Sequence, residues 1–124
     1  GVQVSSISAV DLVELGDAQL AGSDFNGAVA SYGQAVALRP KNGSYLVKLG
    51  SAQLRAGDHK AAAQSLERGL KLAPGEIDGH KRLGEALEAI GRNQDARASY
   101  QRYLKARPNA RDRADIEARI ARLS

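Results

Sequence analysis

The sequence lacks cysteine, methionine and tryptophan, and it has only one phenylalanine and four tyrosines in 124 residues. A chain without cysteine forms no disulfides and no thiolate metal sites, although a reducing cytosol and a cysteine-free periplasmic protein both fit that composition. With so few rings, we expect a core of leucine, alanine, valine and isoleucine. Such a composition, poor in β-branched runs, favours helices.

Long apolar runs are also missing, so the sequence predicts no membrane-spanning segment, and no signal peptide is recognisable. The net charge of +4 is spread over mixed acidic and basic residues. A solvated surface is therefore a better interpretation than a nucleic-acid footprint. Because the chain begins with Gly1, we interpret residues 1–8 as a leader or cloning remnant, and the chain as a piece of a longer protein, with the cytoplasm as the favoured compartment.

The strongest pattern is a period of 34 residues, first shown by the prolines Pro40, Pro74 and Pro108. Four further columns follow the same step: Leu15, Leu49 and Leu83; Gly16, Gly50 and Gly84; Ala28, Ala62 and Ala96; Tyr32, Leu66 and Tyr100. Independent columns that share one period indicate tandem structural repeats. We expect each residue of the glycine column to let two helices approach closely, with the alanine column facing it.

Each repeat has the pattern of two helices joined by a tight turn. Apolar residues recur at spacings of three and four, with a break at 22–24 in the first repeat. We expect Gly57 and Gly91 to adopt the left-handed conformation that ends a helix. The residue before each proline is disfavoured in helical geometry, so the second helices should end there.

Polar residues are placed to cap these helices. Asp24 and Asp58 stand just before the second helices of the first two repeats, where a carboxylate accepts from free backbone amides. In the third repeat Asn93 is the expected cap. Ser8 and Asp11 predict a capping box at the start of the first helix.

This pattern resembles the tetratricopeptide repeat. The resemblance covers about residues 9–108, with repeats expected at 9–42, 43–76 and 77–108. It rests on the five columns above together with Leu12, Leu46 and Leu87. The family often has an aromatic ring in two columns where this chain has none. Tryptophan is common where this chain has Leu12, Leu46 and His80, and tyrosine is common where it has Gln19, Gln53 and Leu87. The resemblance implies an all-α solenoid of three antiparallel helix pairs in a right-handed superhelix.

The segment 109–124 leaves the repeat pattern. Its apolar face contains Ile116, Ile120 and Leu123. On the opposite face, Asp115 and Arg119 are spaced to pair one turn apart. We predict a capping helix that covers the last repeat with its apolar side.

The resemblance also implies that partners bind on a concave face lined by the first helix of each pair. The candidates are Val10, Val13, Asp17, Leu20, Ser44, Val47, Ser51, Leu54, Asp78, Lys81, Glu85 and Glu88. The N-terminal part of this face is apolar, which predicts a pocket for apolar side chains, or a surface covered by a neighbouring repeat or by the leader. The C-terminal part is mainly acidic, which predicts attraction of a basic segment or an ordinary solvated face.

One binding mode of the family can be compared residue by residue. Members that grip the acidic tails of chaperones carry lysine or asparagine where Val13, Asp17, Lys48 and Asp78 stand here. Only Arg82 matches their pattern, and the two aspartates would repel a carboxylate. The resemblance therefore does not extend to a chaperone-tail adaptor.

The second helices predict a basic outer surface. It carries Lys60, Gln64, Glu67, Arg68, Lys71, Gln94, Arg97, Gln101, Arg102 and Lys105. Tyr103 is the one ring near enough to interleave with these residues, so base stacking is poorly supported.

No group of residues predicts catalysis. His59 and His80 have no histidine or cysteine at metal-ligand spacing, and no nucleophile motif or Gly-rich phosphate loop is present. We predict no enzyme, no cofactor and no metal. The sequence favours a protein–protein interaction module that binds a peptide or helical segment. The alternatives are an assembly element that stacks on another repeat array, and, with least support, a nucleic-acid-binding protein.

Overall fold

The computed structural model describes residues 8–124, in which seven helices and no strand are found. The helices are α1 (Ala9–Ala21), α2 (Phe25–Leu38), α3 (Gly43–Arg55), α4 (His59–Leu72), α5 (Ile77–Ala89), α6 (Asn93–Ala106) and α7 (Arg113–Arg122). The predicted all-α solenoid is thus confirmed. The predicted leader, apart from Ser8, lies outside the described residues. None of the described helices is both long and apolar enough to cross a membrane.

The helices pack in chain order as the pairs α1–α2, α3–α4 and α5–α6, followed by α7. Each pair also contacts the next one, because α2 lies against α3 and α4 against α5. In addition, α3 contacts α5 directly, while no comparably extensive contact between α4 and α6 exists in residues 8–124. The second and third pairs therefore lie closer together on the side of the odd-numbered helices than on the side of the even-numbered ones.

The glycine column forms the seam inside each pair. An added Cβ would lie 2.5 Å from a side-chain atom of the second helix in all three repeats, in the pairs Gly16–Tyr32, Gly50–Leu66 and Gly84–Tyr100. The predicted close approach is therefore confirmed. The predicted partner is wrong, because the nearest atoms belong to the Tyr32, Leu66 and Tyr100 column. The alanine column is fully buried but is not the nearest neighbour of the glycines.

The second pair has a further close approach that the period did not reveal. A Cβ at Gly43 would lie 2.7 Å from the carbonyl oxygen of Gly69, and a Cβ at Gly69 would lie 2.9 Å from the amide nitrogen of Val47. The backbones of α3 and α4 are thus nearly in contact where α3 begins and α4 ends. Neither glycine has a glycine one period away, so each looked isolated in the sequence.

The turns between paired helices follow the predicted geometry. Gly57 and Gly91 have φ of 90° and 83°, in the left-handed region that glycine adopts without steric cost. Ser23 occupies the equivalent position of the first repeat with φ of 63°.

The predicted caps Ser8, Asp24 and Asp58 are confirmed, whereas the predicted cap Asn93 is wrong. The capping box predicted at Ser8 is half formed, because no bond from the Asp11 side chain to the Ser8 amide is found in residues 8–124. The side chains of Ser8, Asp24 and Asp58 accept from the amides of Asp11, Gly27 and Ala61 at 3.1, 2.9 and 3.3 Å. Asn93 is instead the first residue of α6, and Arg92 at the N-cap makes no side-chain cap. The Arg92 guanidinium binds the carboxylates of Glu67 and Asp95 at 2.9 and 2.8 Å.

Helix α7 covers the third pair as predicted. Ile116 is buried, and Ile120 and Leu123 are partly buried against the core that extends from α3 to α7. The predicted pair between Asp115 and Arg119 is not formed in the described chain, because Arg119 turns toward the third pair instead.

Burial of the leucine column rises along the array. Leu15 is 50% exposed, Leu49 is partly buried, and Leu83 is 6% exposed. Leu49 and Leu83 each pack against the pair that precedes them. In residues 8–124 no helix pair lies in front of Leu15.

Candidate partner-binding face

The first helices of the three pairs carry all the residues predicted to bind a partner. We call this surface the odd-helix face, and its residues are Val10, Val13, Asp17, Leu20, Ser44, Val47, Ser51, Leu54, Asp78, Lys81, Glu85 and Glu88. Their exposure differs widely. Val10 is 57% exposed, whereas Val13 and Val47 are only 8% and 7% exposed and belong to the core. Leu20 and Leu54 are partly buried, so a portion of each remains open to solvent.

A hydrogen-bonded group lies at the N-terminal end of this face. The hydroxyl of Tyr32 donates to the Asp17 carboxylate at 2.5 Å, and the Lys48 ammonium donates to the same oxygen at 3.1 Å. The ammonium also lies 5.9 Å from the centre of the Tyr32 ring, within cation–π range. Burial raises the pKa of Asp17, but the two hydrogen bonds outweigh it, and the net pKa lies below the usual value.

A related group lies at the C-terminal end. Tyr100, which is equivalent to Tyr32, donates to Glu88 at 2.8 Å. Arg119 of α7 donates to the Tyr100 hydroxyl at 3.3 Å and lies 3.5 Å from Glu88. Arg122 adds a second cation 3.8 Å from the same carboxylate. Burial, followed by the bond to Glu88, raises the pKa of the Tyr100 phenol above its usual value.

Lys81 takes part in a third polar group with residues outside the first helices. Its ammonium lies 2.5 Å from the Asp112 carboxylate, and the Tyr103 hydroxyl donates to Asp112 at 2.8 Å. The hydrogen bond from Lys81 lowers the pKa of Asp112 most strongly, while burial works in the opposite direction. Burial and the bond to Asp112 raise the pKa of Tyr103 to about 12.

Cations balance the acidic residues predicted at the C-terminal end. Glu85 pairs with Arg82 at 3.2 Å, and Asp78 pairs with Arg107 at 3.4 Å, in addition to the two arginines on Glu88. The sequence-based prediction of a negative surface considered residues of the first helices alone, so it missed Arg119 and Arg122 of α7 and Arg107 after α6. The assembled surface therefore carries ion pairs instead of an excess of negative charge.

The centre of the face is uncharged. Ser51 of the second repeat is equivalent to Asp17 of the first repeat, and Leu54 is equivalent to Glu88 of the third. The second repeat also has Leu66 where the others have the hydroxyls of Tyr32 and Tyr100, so no ring hydroxyl binds there. Partly exposed Ser51 and Leu54 thus form what we call the central strip, between the two tyrosine–carboxylate groups.

The tyrosine–carboxylate groups were missed in the sequence, although a signal was present. Two of the four tyrosines share one column of the repeat, and each of those two repeats has a carboxylate on the adjoining first helix. No group of three potential metal-binding side chains forms within residues 8–124.

Comparison with known proteins places the chain among helical repeats. One family model described as tetratricopeptide repeat matches residues 13–77, and a second with the same description matches residues 53–120. The comparison with curated protein sequences gave no match.

Three similar solved structures illustrate the shared fold. The tetratricopeptide domain of Arabidopsis OM64 is 23% identical with a TM-score of 0.84, and the match covers 93% of each chain. The first such domain of Spaghetti (RPAP3), bound to an HSP90 peptide, is 22% identical with a TM-score of 0.86, over 98% of this chain and 97% of that one. The TPR2B domain of yeast Sti1, in a complex with pHsp70, is 15% identical with a TM-score of 0.80, over 95% and 97%. Each family model matches more than half of the chain, and the observed helix pairs with their glycine seams agree with these matches. The chain therefore belongs to the tetratricopeptide repeat family.

Proposed function

We propose that the protein is an interaction module that binds an extended or helical segment of a partner protein on its odd-helix face, and that its role is binding and not catalysis. The observation that carries this proposal is the central strip, where Ser51 and Leu54 remain partly exposed between two fixed polar groups. An apolar side chain of a partner can pack on Leu54, while the flanking groups offer hydrogen bonds that fix its register.

The flanking groups are organised before a partner arrives. Tyr32 and Tyr100 are almost completely buried, and their hydroxyls hold the carboxylates of Asp17 and Glu88. Side chains already fixed in one arrangement lose less conformational entropy when a ligand binds. The surface therefore favours a segment with an apolar anchor flanked by polar groups.

An acidic chaperone tail is a poor candidate for this face. Two of the structural relatives are described with an HSP90 peptide and with pHsp70. In this chain, however, Arg82 is paired with Glu85, and Lys48 is paired with Asp17. A terminal carboxylate would therefore compete with Asp17 and Glu85 for these cations and would be repelled by both carboxylates.

Peptides selected from a randomised displayed library on the wild-type protein provide the test. Ser51→Arg adds bulk and charge to the central strip without removing a packed side chain, and we expect it to weaken binding of the selected peptides at least about tenfold. Leu54→Glu is a second probe of the same strip. Fluorescence anisotropy measures the affinities, and circular dichroism melts show that each variant is folded.

The chain offers a matched control in two exposed leucines on the second helices. Leu38 and Leu72 are 46% and 47% exposed at the ends of α2 and α4. The double variant Leu38→Glu, Leu72→Glu should keep the wild-type affinity within about twofold, since surface changes away from a contact have small effects. Selected peptides that bind Ser51→Arg as tightly as the wild type would refute the proposal.

A further inference from the structure

A concave surface lies between α4 and α6, and its lining also includes His80 and Leu83 of α5. It has a cavity volume of about 1010 Å³, and we call it the α4–α6 groove. Its rim carries two cations on each helix, Arg68 and Lys71 on α4 and Arg102 and Lys105 on α6. Its floor includes the aliphatic side chains of Leu70 and Leu83.

These four cations have no ion-pair partner within residues 8–124. The contrast with the odd-helix face is sharp, because Lys48, Lys81 and Arg82 there each bind a carboxylate. Glu67, the one acidic residue that lines the groove, is already held by Arg92 at 2.9 Å. The groove therefore presents an excess of positive charge beside an apolar floor.

Helix stability explains only part of this charge. Lys71 and Lys105 lie in the last turns of their helices, where a cation is favourable for the helix dipole. Arg68 and Arg102 lie one turn earlier and gain little from the dipole, which is strongest in the last turn. The first repeat has Gln34 and Ala37 at the corresponding positions, so the fold does not require cations there.

The size and chemistry of the groove narrow the class of ligand. Pockets for small molecules typically have volumes of roughly 300–1,000 Å³, and this groove lies at the upper limit of that range. No phenylalanine, tyrosine or tryptophan lines it, and its single imidazole, that of His80, lies 3.2 Å from the Pro74 carbonyl oxygen, so it offers little platform for stacking nucleobases. A second copy of this chain is disfavoured as occupant, because the chain itself carries a net charge of +4.

We propose that the α4–α6 groove binds an acidic, amphipathic segment of a partner protein. Carboxylates of the segment lie along the two rows of cations, and its apolar side chains pack on Pro74 and Ala106 and on the small exposed parts of Leu70 and Leu83. The groove and the odd-helix face share α5 but use different residues of it, since His80 and Leu83 line the groove while Glu85 and Glu88 belong to the face, so one chain can hold two segments at once.

A fluorescein-labelled peptide of alternating glutamate and leucine is the direct probe, with a lysine–leucine peptide and labelled oligouridine as alternatives. We expect the glutamate–leucine peptide to bind, the lysine–leucine peptide not to bind, and oligouridine to bind more weakly. Arg102→Glu, Lys105→Glu should raise the Kd of the acidic peptide at least about tenfold. Ser51→Arg should leave that Kd unchanged, which separates this groove from the odd-helix face.

The control variant is Lys41→Glu, Lys60→Glu, which changes the net charge by the same amount at exposed lysines outside the groove. It should retain the wild-type Kd within about twofold. The milder variant Arg102→Gln, Lys105→Gln checks that the loss does not come from unfolding. An equal loss in the control would show unspecific attraction and overturn the proposal. No binding of the acidic peptide, or tighter binding of oligouridine, would also overturn it.

Discussion

At the scale of single residues, the pairing of α3 with α4 depends on two positions that have no side chain. Gly43 and Gly69 bring the backbones of these helices so close that any Cβ would meet backbone atoms within 3.0 Å. Backbone cannot rotate away as a flexible side chain can. Relief of such a contact therefore requires the whole helix to move.

We expect Gly69→Ala to destabilise the protein by about 1–3 kcal/mol, the usual range for overpacking. Gly33→Ala is the matched control, because Gly33 also lies within a helix but has no atom within 4 Å of its added Cβ. That variant should be neutral or more stable by about 0.5–1 kcal/mol, since alanine is the better helix former. Urea unfolding measures both values. Equal stability of the two variants would contradict the close approach.

The buried tyrosines make stability depend on alkaline pH. The pKa values of Tyr32, Tyr100 and Tyr103 are raised above the ordinary value of 10.0, first by burial and then by bonds to carboxylates, with Tyr103 at about 12. A group whose pKa is raised by folding contributes stability that is present in full below its unfolded pKa. That contribution is lost as pH rises from about 10 through the folded pKa values.

We therefore expect the free energy of unfolding to fall steeply above pH 10. Denaturant melts at a series of pH values measure it, and phenolate absorbance follows the ionisation. Tyr100→Phe removes one of the ionising groups, so its stability should fall less steeply than that of the wild type over this range. An unchanged slope in this variant would contradict the role assigned to Tyr100.

At the scale of elements, α7 does more than cover an apolar end. Ile116 is buried in the core of the third pair, while Arg119 and Arg122 reach Glu88 on the odd-helix face. The helix thus contributes to packing and to the charge of the candidate site at once. Its polar contribution was invisible in the sequence, because the repeat period ends before it.

Ile116→Ala should cost about 2–5 kcal/mol, through lost burial and the cavity left behind. We expect the loss of stability to be largest in α7 and the third pair, because a repeat array is stabilised by contacts between neighbours. Hydrogen exchange measures it as faster exchange there than in α1 and α2. Ala121→Ser on the exposed side of α7 is the control and should change stability by no more than about 0.5 kcal/mol. Uniform acceleration along the chain would show that α7 is not a local cap.

At the scale of the whole molecule, the repeat period was enough to predict the fold. A column such as Gly16, Gly50 and Gly84 is needed in every repeat for the same packing reason, so its signal is reinforced three times. The site was less predictable because each of its features occurs only once or twice. Val13 and Val47 followed the helical spacing of exposed positions, yet contacts between successive pairs bury them.

The net charge of the odd-helix face and of the α4–α6 groove was also not predictable from the repeat period. The acidic residues of α5 suggested a negative surface, but residues from α7 and the turn after α6 pair with them. The cations of α4 and α6 were visible in the sequence, whereas their lack of ion-pair partners within residues 8–124 depends on the assembled structure. Ion pairs between distant parts of the chain require three-dimensional distances, which the period does not contain.

The most direct test of the account maps a selected peptide on the protein by amide chemical-shift changes in nuclear magnetic resonance. We expect the largest changes at Ser51 and Leu54, with smaller ones at Asp17 and Glu88, and little change at Leu38 and Leu72. Changes that instead cluster along α2, α4 and α6, with the amides around Ser51 unmoved, would contradict the claim that the odd-helix face is the partner-binding surface.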